Sequence, residues 1–397
     1  MQGDASLIEH AQAAPMRAQV ERWAAINSGT GNIAGLAQVA HLLAGAFAEL
    51  PGELELVEPA AVTRITADGR EEPVEHGSHL VLRVRTDAPR RVLLTGHMDT
   101  VYAADHPFQT LRESKPGIIN GPGVADMKGG LAVMLAALHA LEANGTGLGY
   151  DVMINSDEET GSASSAPLIA DLAHGKLAAL TYEPSALPDG TLAGARPGSG
   201  NFSLIIEGRA AHAGRNPQDG RNAVLAGADL ALTLAALKRE GLSVNPAKLD
   251  GGSPNNVVPA QAILRVNLRP LTPELQLEAE HGVAAAIETV TARHDVRITC
   301  HGGFGRPPKP LTQRAERLFA LVRQCGGQLG QSIGWRASGG VCDGNNIAGC
   351  GVPVVDTMGA RGGAIHSPDE YLIVDSLPER AALSALVLRR LEQGALA

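Results

Sequence analysis

Short apolar runs alternate with longer Ala- and Leu-rich segments through the first half of the chain. Lys128–Asn144 is apolar on nearly every face, which is typical of a helix packed against a sheet. This alternation predicts an α/β fold with a mainly parallel sheet. The turn residues of Thr86–Arg90 predict a hairpin, which would make that sheet mixed. The predicted strands are Leu80–Val84, Arg91–Thr95, Tyr150–Asn155 and Ala178–Tyr182.

The middle of the chain has a different order of predicted elements, namely strand, helix, strand, strand, helix and strand. Thr272 is a suitable N-cap for the second helix, with Pro273 at its first position. This βαββαβ order is the ferredoxin-like arrangement, which forms a self-contained unit. Its predicted elements are Asn201–Gly208, Asn222–Glu240, Leu242–Leu249, Ala260–Leu268, 273–294 and Asp295–His301.

Gly- and Pro-rich stretches, ARPGSG and GGFGRPPKP, flank this unit on its two sides. They predict a boundary at each end, because such stretches usually connect elements rather than lie within them. We therefore predict that residues 196–308 are a domain inserted into a larger one, which is formed by residues 1–195 and 309–397.

Composition narrows the class of protein. With 44% hydrophobic and 19% charged residues, the 397-residue chain has enough apolar material for a packed core. Its 33 Lys+Arg against 42 Asp+Glu give a net charge of −9, which argues against a nucleic-acid partner. No uninterrupted apolar run reaches ~18 residues and no signal peptide is recognisable, so we expect no membrane span and a cytoplasmic location. The four cysteines lack CxxC spacing and are expected to be reduced thiols.

Acidic residues and a histidine lie where the predicted strands end or where the apolar helix begins. His97 and Asp99 follow one strand, and residues two apart in extended chain project to the same side. Ligand sites of open α/β sheets gather at the carboxyl ends of strands. Each residue alone has an ordinary explanation as a helix cap or a solvated turn, but together they predict one cleft. The set is His97, Asp99, Asp126, Glu158, Glu159 and Glu183.

The charge of this cleft predicts a metal. Five carboxylates would repel one another and raise each other's pKa unless cations neutralised them. Lys128 is the only basic residue near these motifs, so divalent cations are expected. His366 supplies a second imidazole, and imidazole combined with carboxylate suits Zn²⁺. Two histidines and several carboxylates fit a two-metal site of the kind found in aminopeptidases.

Six motifs occur in an order that resembles a known enzyme family. They are HMDT, GVADMKGG, DEETGS, YEPS, GRAAHAG and IHSPDEY. The chain is similar, from about residue 90 to its C-terminus, to the zinc metallopeptidases that include glutamate carboxypeptidase, aminoacylase, acetylornithine deacetylase and succinyl-diaminopimelate desuccinylase. It resembles the glutamate carboxypeptidase branch most. This resemblance implies a three-layer, mixed-sheet catalytic domain with an inserted ferredoxin-like lid and dimerisation domain.

The resemblance also implies a ligand set for two Zn²⁺ ions per chain, with Co²⁺ or Mn²⁺ as alternatives. Asp126 matches the carboxylate that bridges both metals. His97 and Glu183 match the other protein ligands of one ion. Glu159 and His366 match those of the second ion.

Further roles follow from the same resemblance. Glu158 matches the general base that takes a proton from the metal-bridging water as hydroxide attacks an amide carbonyl. Asp99 matches the carboxylate that orients the ligand imidazole. His212 matches a histidine that reaches across a dimer interface into the partner's site, so a homodimer is implied. The Asp126–Met127 peptide bond is expected to be cis.

Several residues match family positions close to the substrate. Asn256 and Arg269 match residues that hold the α-carboxylate of the substrate, a task that suits the planar guanidinium. Gly339 and Gly340, followed by Asp343, match a substrate-proximal glycine loop. Cys342 in that loop is expected to be a packed thiol, because no histidine lies near it in the sequence.

The predicted activity is hydrolysis of the amide bond of an N-acyl amino acid or a short peptide. The stretch SALPDGTLAG after Glu183 has no Lys or Arg that could receive a glutamyl side chain. Strict specificity for glutamate is therefore not expected. Two alternatives stay open, a biosynthetic deacetylase or desuccinylase and a catalytically silent relative that binds metal or peptide.

Overall fold

The computed structural model describes residues 2–396. Its helices are α1 (Gln2–Gln12), α2 (Met16–Ala24), α3 (Ile33–Phe47), α4 (Gly129–Ala143), α5 (Ala166–Ala173), α6 (Ala223–Ala235), α7 (Pro273–His294), α8 (Gln313–Gln328), α9 (Asp343–Gly349) and α10 (Ser376–Glu392). Its strands are β1 (Glu53–Val57), β2 (Val62–Ile65), β3 (Glu71–Val74), β4 (His79–Val84), β5 (Arg91–His97), β6 (Arg112–Lys115), β7 (Ile118–Asn120), β8 (Gly149–Asn155), β9 (Ala178–Thr181), β10 (Leu192–Ala193), β11 (Ser199–Glu207), β12 (Leu242–Gly251), β13 (Gln261–Pro270), β14 (Arg297–Arg306), β15 (Trp335–Arg336), β16 (Val354–Val355), β17 (Gly362–Gly363) and β18 (Tyr371–Ile373).

A mixed six-stranded sheet forms the centre of the larger part of the molecule. Its strand order is β1-β4-β8-β5-β9-β16. Strands β8, β5, β9 and β16 run parallel, whereas β4 runs antiparallel to β8 and to β1. Strands β5 and β8 are buried along nearly their whole length, as expected of parallel strands covered by helices on both faces. The predicted α/β class with a mixed sheet is confirmed.

The predicted hairpin at Thr86–Arg90 is wrong. Strands β4 and β5 do not pair with each other, because β8 lies between them and pairs with both. The turn itself is present, since the N–H of Ala88 donates to the carbonyl of Arg85. Turn residues determine where the chain reverses, but the strand that fills the adjacent position comes from a segment about 60 residues later.

The predicted apolar helix is α4, which lies in the core between the sheet and helices α1, α2 and α10. Together with the short turn before it, the segment Val124–Ala143 has a mean hydropathy of 1.4 and is long enough to cross a membrane. Asp126 and Lys128 interrupt this segment, so it qualifies by length and mean hydropathy although it contains no uninterrupted apolar run of ~18 residues. In this fold 94% of the segment is buried against the rest of the chain, which is the position of a core helix.

Strands β11 to β14 form a separate sheet, and with helices α6 and α7 they make up the four-stranded unit (residues 199–306). Its strand order is β12-β13-β11-β14, with every pair antiparallel. The predicted order of elements is therefore observed. The unit has its own apolar core, in which Leu204, Leu230 and Leu264 are buried. The division into domains at 196 and 308 stays a prediction.

Most boundaries of this unit lie within two residues of the predicted ones, and two differ by five residues. Helix α6 ends at Ala235 rather than Glu240. Strand β14 continues to Arg306, through glycines that were assigned to a linker. Gly302 and Gly303 adopt positive φ angles of 97° and 155°, which lets the strand continue its pairing with β11. Cross-strand pairing thus overrides the local glycine signal.

A second small sheet brings distant parts of the chain together. Its strand order is β17-β18-β7-β6, and β18 pairs antiparallel with β7. The loop that carries His366 joins β17 to β18, and the turn that carries Asp126 follows β7. This sheet therefore places the C-terminal histidine beside the turn that opens helix α4.

Candidate metal centre

The predicted metal ligands lie at one edge of the central sheet. His97 is the last residue of β5, Glu159 lies in the short helical turn after β8, and Glu183 follows β9. These three strands are parallel, so their carboxyl ends meet at the same edge. Asp126 reaches this edge from the turn before α4, and His366 from the loop after β17.

Asp126 lies between the two histidines. Its Oδ1 is 3.1 Å from Nε2 of His97, and its Oδ2 is 3.2 Å from Nε2 of His366. Oε2 of Glu183 is 3.8 Å from the same nitrogen of His97. Oε2 of Glu159 is 3.2 Å from Nε2 of His366. One oxygen of Asp126 thus faces an imidazole and a carboxylate, and its other oxygen faces a second imidazole and a second carboxylate.

Asp99 contacts both His97, at the end of β5, and the turn that carries Glu158 and Glu159. Nδ1 of His97 lies 3.1 Å from the carbonyl oxygen and 3.3 Å from Oδ1 of Asp99, which leaves Nε2 directed at Asp126. The backbone N–H groups of Glu158 and Glu159 donate to the two carboxylate oxygens of Asp99 at 3.2 and 3.1 Å. Thr30 donates to the same carboxylate at 2.7 Å. Asp99 therefore orients the imidazole and also holds the turn that carries the two glutamates.

The electrostatics of this cluster show an excess of buried negative charge. Burial raises the pKa of Glu158 and Glu183 to about 8, and burial together with the neighbouring Asp126 raises that of Glu159 to about 7. Burial disfavours the charged form of His97, but Glu183 and Asp126 outweigh it and hold its pKa well above the usual value. Carboxyl groups with pKa values near neutrality are in surroundings that favour a cation or a proton over free negative charge.

The donor set fits metal ions. Ligand atoms of His97, Asp126 and Glu159, and those of His97, Glu158 and Glu183, lie within 4.8 Å of one another in each group. Oε1 of Glu183 is buried and has no hydrogen-bond partner among the described residues, as expected of an oxygen that serves a cation. Imidazole and carboxylate ligands suit zinc and similar transition metals. The Asp126–Met127 peptide bond is cis, as the resemblance implied.

The prediction that Lys128 is the only basic residue near these motifs is wrong. Arg306, the last residue of β14, donates to Oε1 of Glu158 at 2.7 Å and also contacts Asp343. Its side chain is 4% exposed. The pairing depends on the four-stranded unit meeting the sheet edge, and these residues are 148 positions apart, so no local motif could indicate it.

Two further charged residues at the site were not predicted to act there. Lys128 is buried and donates to the hydroxyl of Ser28 at 2.8 Å, and burial lowers its pKa to about 8 despite the surrounding carboxylates. Glu370 is 1% exposed, and its carboxylate accepts hydrogen bonds from the turn that carries Asp126. Its position in the motif IHSPDEY, four residues after His366, was the available signal.

His212 and Asn256 lie together on exposed loops of the four-stranded unit. His212 forms a bridge with Val257, and the N–H of Ala213 donates to the carbonyl of Asn256. The backbone N–H groups of Gly214 and Arg215 lie 3.1 and 3.2 Å from Nδ1 of His212. Nδ1 is therefore an acceptor, and the ring proton belongs on the outward Nε2.

The remaining predicted residues form another group. Arg269 donates to the carbonyl of Gly339 at 3.1 Å, and the carbonyl of Gly340 accepts from Arg196 at 3.1 Å. Asp343 is buried and accepts hydrogen bonds from Asn155 and Ser162, close to the glutamate turn. The buried thiol of Cys342 contacts Asp356, which agrees with a packed cysteine. All four cysteines are free thiols, as predicted.

Comparison with known proteins places this site in a family. The profile of peptidase family M20/M25/M40 matches residues 93–390. The chain belongs to this family. Carboxypeptidase G2 of Pseudomonas sp. (strain RS-16) is 30% identical to it, over 94% of this chain and 89% of the relative. Succinyl-diaminopimelate desuccinylase of Rhodopseudomonas palustris (strain HaA2) is 29% identical, over 79% of this chain and 85% of the relative.

The fold agrees with this assignment. The crystal structure of the Bacillus subtilis YXEP protein, described as a dinuclear metal binding peptidase of family M20, superposes with a TM-score of 0.65. The two chains are 14% identical, and the match covers 95% of this chain and 98% of the other. The family match and the identity to carboxypeptidase G2 make this chain a hydrolase, either a metallopeptidase or a deacylase, and the resemblance inferred from its motifs is confirmed.

Proposed function

We propose that this M20 protein is a co-catalytic zinc amidohydrolase that cleaves an N-acyl amino acid or a short peptide and leaves a free α-carboxylate on the product. The observation that carries the proposal is the placement of Asp126 between two histidines, each with a further carboxylate. Glu158 lies close to His97 and Glu183, and we assign it as the base because the other five residues already supply the ligands. Asp126 would bridge two ions, with His97 and Glu183 on one and Glu159 and His366 on the other. Zn²⁺ fits this donor set, and Co²⁺ or Mn²⁺ are alternatives.

Divalent ions bound there would lower the pKa of a shared water and polarise the carbonyl of the substrate. Glu158 is the remaining carboxylate, held in place by Asp99 through its backbone and by Arg306 through Oε1. It would accept a proton from the attacking water and return it to the leaving amine. The outward Nε2–H of His212 would donate to the developing oxyanion.

We propose a substrate with a free carboxylate because the guanidinium of Arg269, which can bind a carboxylate, lies beside the glycine loop. Arg269 is partly exposed, and its contact with Gly339 brings two predicted substrate-binding positions together. Asn256 is exposed next to His212 and would contact the same end of the substrate. The segment after Glu183 offers no basic side chain to a glutamyl substituent, so we propose broader specificity than glutamate alone.

A substrate panel tests this proposal. Purified protein loaded with Zn²⁺ would be assayed against N-acyl amino acids, dipeptides and C-terminal glutamyl substrates, beside the variant Glu158→Gln. We expect turnover of at least one class, and a loss of about 10³-fold in kcat in the variant with unchanged metal content. Full activity in Glu158→Gln would overturn the mechanism, and absence of both turnover and bound metal would overturn the function.

A biosynthetic deacylase is the second candidate, supported by the 29% identity to a desuccinylase. The same panel separates the two candidates if N-acetylornithine and N-succinyl-diaminopimelate are included. A kcat/KM for either that exceeds those of the other substrates by about 10²-fold would favour the deacylase. A silent relative is disfavoured, because Glu158 accompanies a complete set of candidate ligands and the M20 relatives are hydrolases.

We also propose a homodimer in which His212 serves the site of the partner subunit, since it lies on an exposed loop of the four-stranded unit. Mixing two inactive variants tests this. Dimers formed from His212→Ala and Glu158→Gln chains would contain one site with both residues intact. After subunit exchange, an equal mixture should recover about a quarter of wild-type activity for a two-fold symmetric dimer. No recovery despite demonstrated exchange would contradict the proposal.

A further inference from the structure

Glu370 immediately precedes β18, where the loop that carries His366 joins the small sheet. It is 1% exposed, in contrast to its neighbour Asp369, which is exposed. A buried carboxylate is costly unless its oxygens accept several hydrogen bonds. The partners of this carboxylate therefore indicate why an acidic residue occupies the position.

The carboxylate of Glu370 accepts four hydrogen bonds from the surrounding protein. Oε1 accepts from the backbone N–H groups of Ala125 and Asp126 at 3.0 and 3.1 Å. Oε2 accepts from the N–H of Gly123 at 3.1 Å and from the hydroxyl of Tyr102 at 2.9 Å. Three of these donors belong to the turn that carries Asp126, and one of them is the N–H of Asp126 itself.

Tyr102 and Asn120 connect Glu370 and this turn to the loop that carries His366. The Tyr102 hydroxyl is also 2.9 Å from the carbonyl of Ser367, the residue after His366. The side-chain amide of Asn120 donates to the carbonyls of Pro368 and Glu370 at 3.0 and 2.7 Å. The His366 side chain is 52% exposed, so packing around the ring does little to hold it in place. Its position depends mainly on how this loop is held.

Only a carboxylate satisfies this arrangement. Glutamine has the same shape but offers one oxygen that accepts and one NH₂ group that donates. In either orientation the NH₂ group would face at least one backbone N–H, which cannot accept a hydrogen bond. A buried donor would then lack a partner, which destabilises the turn that carries Asp126.

We propose that Glu370 is a positioning residue that sets the separation of Asp126 and His366, and through it the affinity and geometry of the metal pair, without ligating a metal itself. The carboxylate acts through the backbone of residues 123–126 and through Tyr102. The inference rests on the proposed function only in that Asp126 and His366 are metal ligands. It adds a residue outside the ligand set, whose own oxygens are fully occupied by protein donors.

The test compares Glu370→Gln with Asp369→Asn, which changes the adjacent exposed carboxylate by the same atoms. Zinc affinity would be measured by competition with a chelator of known affinity, and site geometry by the visible absorption spectrum of the Co²⁺-substituted protein. We expect a 10–100-fold loss of affinity for at least one ion in Glu370→Gln, together with a changed cobalt spectrum. Asp369→Asn should match the wild type in both measurements.

Tyr102→Phe keeps the test informative if Glu370→Gln folds poorly, because it removes one hydrogen bond and leaves the carboxylate in place. A smaller loss of affinity, with an altered cobalt spectrum in a folded protein, would support the proposal. Wild-type affinity and spectrum in a folded Glu370→Gln, or in Tyr102→Phe where Glu370→Gln does not fold, would overturn it. If the wild type binds two ions but hydrolyses no substrate, the proposed function fails while the positioning role can still be measured.

Discussion

Two of the groups of predicted functional residues lie in very different surroundings. At the edge of the central sheet, His97, Asp99 and Asp126 are nearly completely buried and contact one another directly. On the four-stranded unit, His212 and Asn256 are exposed, and their contacts are to backbone atoms of their own loops. The first group is preorganised within one chain, whereas the second presents free donors to solvent.

This difference indicates that the two groups have different roles. Burial at the sheet edge strengthens every charge interaction there, which suits groups that must hold cations at fixed positions. Exposed loops can approach and leave a substrate, which suits groups that complete a site after binding. Arg306 is where the two regions meet, since it ends the last strand of the four-stranded unit and contacts Glu158. Three changes test how far the contrast holds.

The largest effect is expected where the regions meet. Arg306→Met would leave the carboxylates of Glu158 and Asp343 buried without their cationic partner. We expect the free energy of unfolding of the metal-free protein to fall by about 3–5 kcal/mol. Arg297→Met is the matched control, because Arg297 begins the same strand, is 78% exposed and should contribute almost nothing. Equal stabilities of the two variants in urea denaturation would show that the contact is unimportant.

A change in pH is expected to have an intermediate effect on the stability of the metal-free protein. The raised pKa values of Glu158, Glu159 and Glu183 mean that the folded, metal-free protein holds protons that the unfolded chain releases near pH 4.5. This contribution to stability is complete below that pH and is lost as the pH rises towards 8. The midpoint of thermal unfolding with chelator should fall by about 5 °C or more between pH 5.5 and 8.

The zinc-loaded protein is the control for this prediction. Metal ligands bind best when they are deprotonated, so the gap in melting temperature between loaded and metal-free protein should widen as the pH rises. Glu158→Gln should show a shallower fall with chelator, because one of the titrating groups is missing. A metal-free protein that becomes more stable as the pH rises over this range would contradict the raised pKa values of the three glutamates.

The smallest effect is expected on the surface of the four-stranded unit. Leu232 on α6 is 73% exposed, and Leu232→Ala should change the free energy of unfolding of the monomer by less than about 0.5 kcal/mol. Leu230, two residues earlier, is fully buried, and Leu230→Ala should cost about 3 kcal/mol. Urea denaturation of both variants at low protein concentration measures the difference. A large effect at Leu232 that grows with concentration would indicate that this face is covered in a dimer.

Much of the fold was predictable because local patterns specify local structure. Helix α7 has the predicted bounds, since Thr272 accepts from the N–H of Leu275 and the chain passes through the left-handed region at Asp295, where φ is 50°. The pairing of strands was harder to predict. The insertion of β8 between β4 and β5, and the continuation of β14 through Gly302 and Gly303, depend on partners far along the chain. Turn and glycine signals do not contain that information.

The sequence by itself determined which residues could hold metal. His97, Glu159 and Glu183 each follow an apolar strand closely, and the carboxyl ends of parallel strands meet at one edge, so strand ends predict proximity. Only the tertiary structure decided which groups support them. Arg306 contacts Glu158 across 148 positions, and Glu370 holds the N–H of Asp126 across 244. A motif records what is near in sequence, whereas buried charges select partners that are near in space.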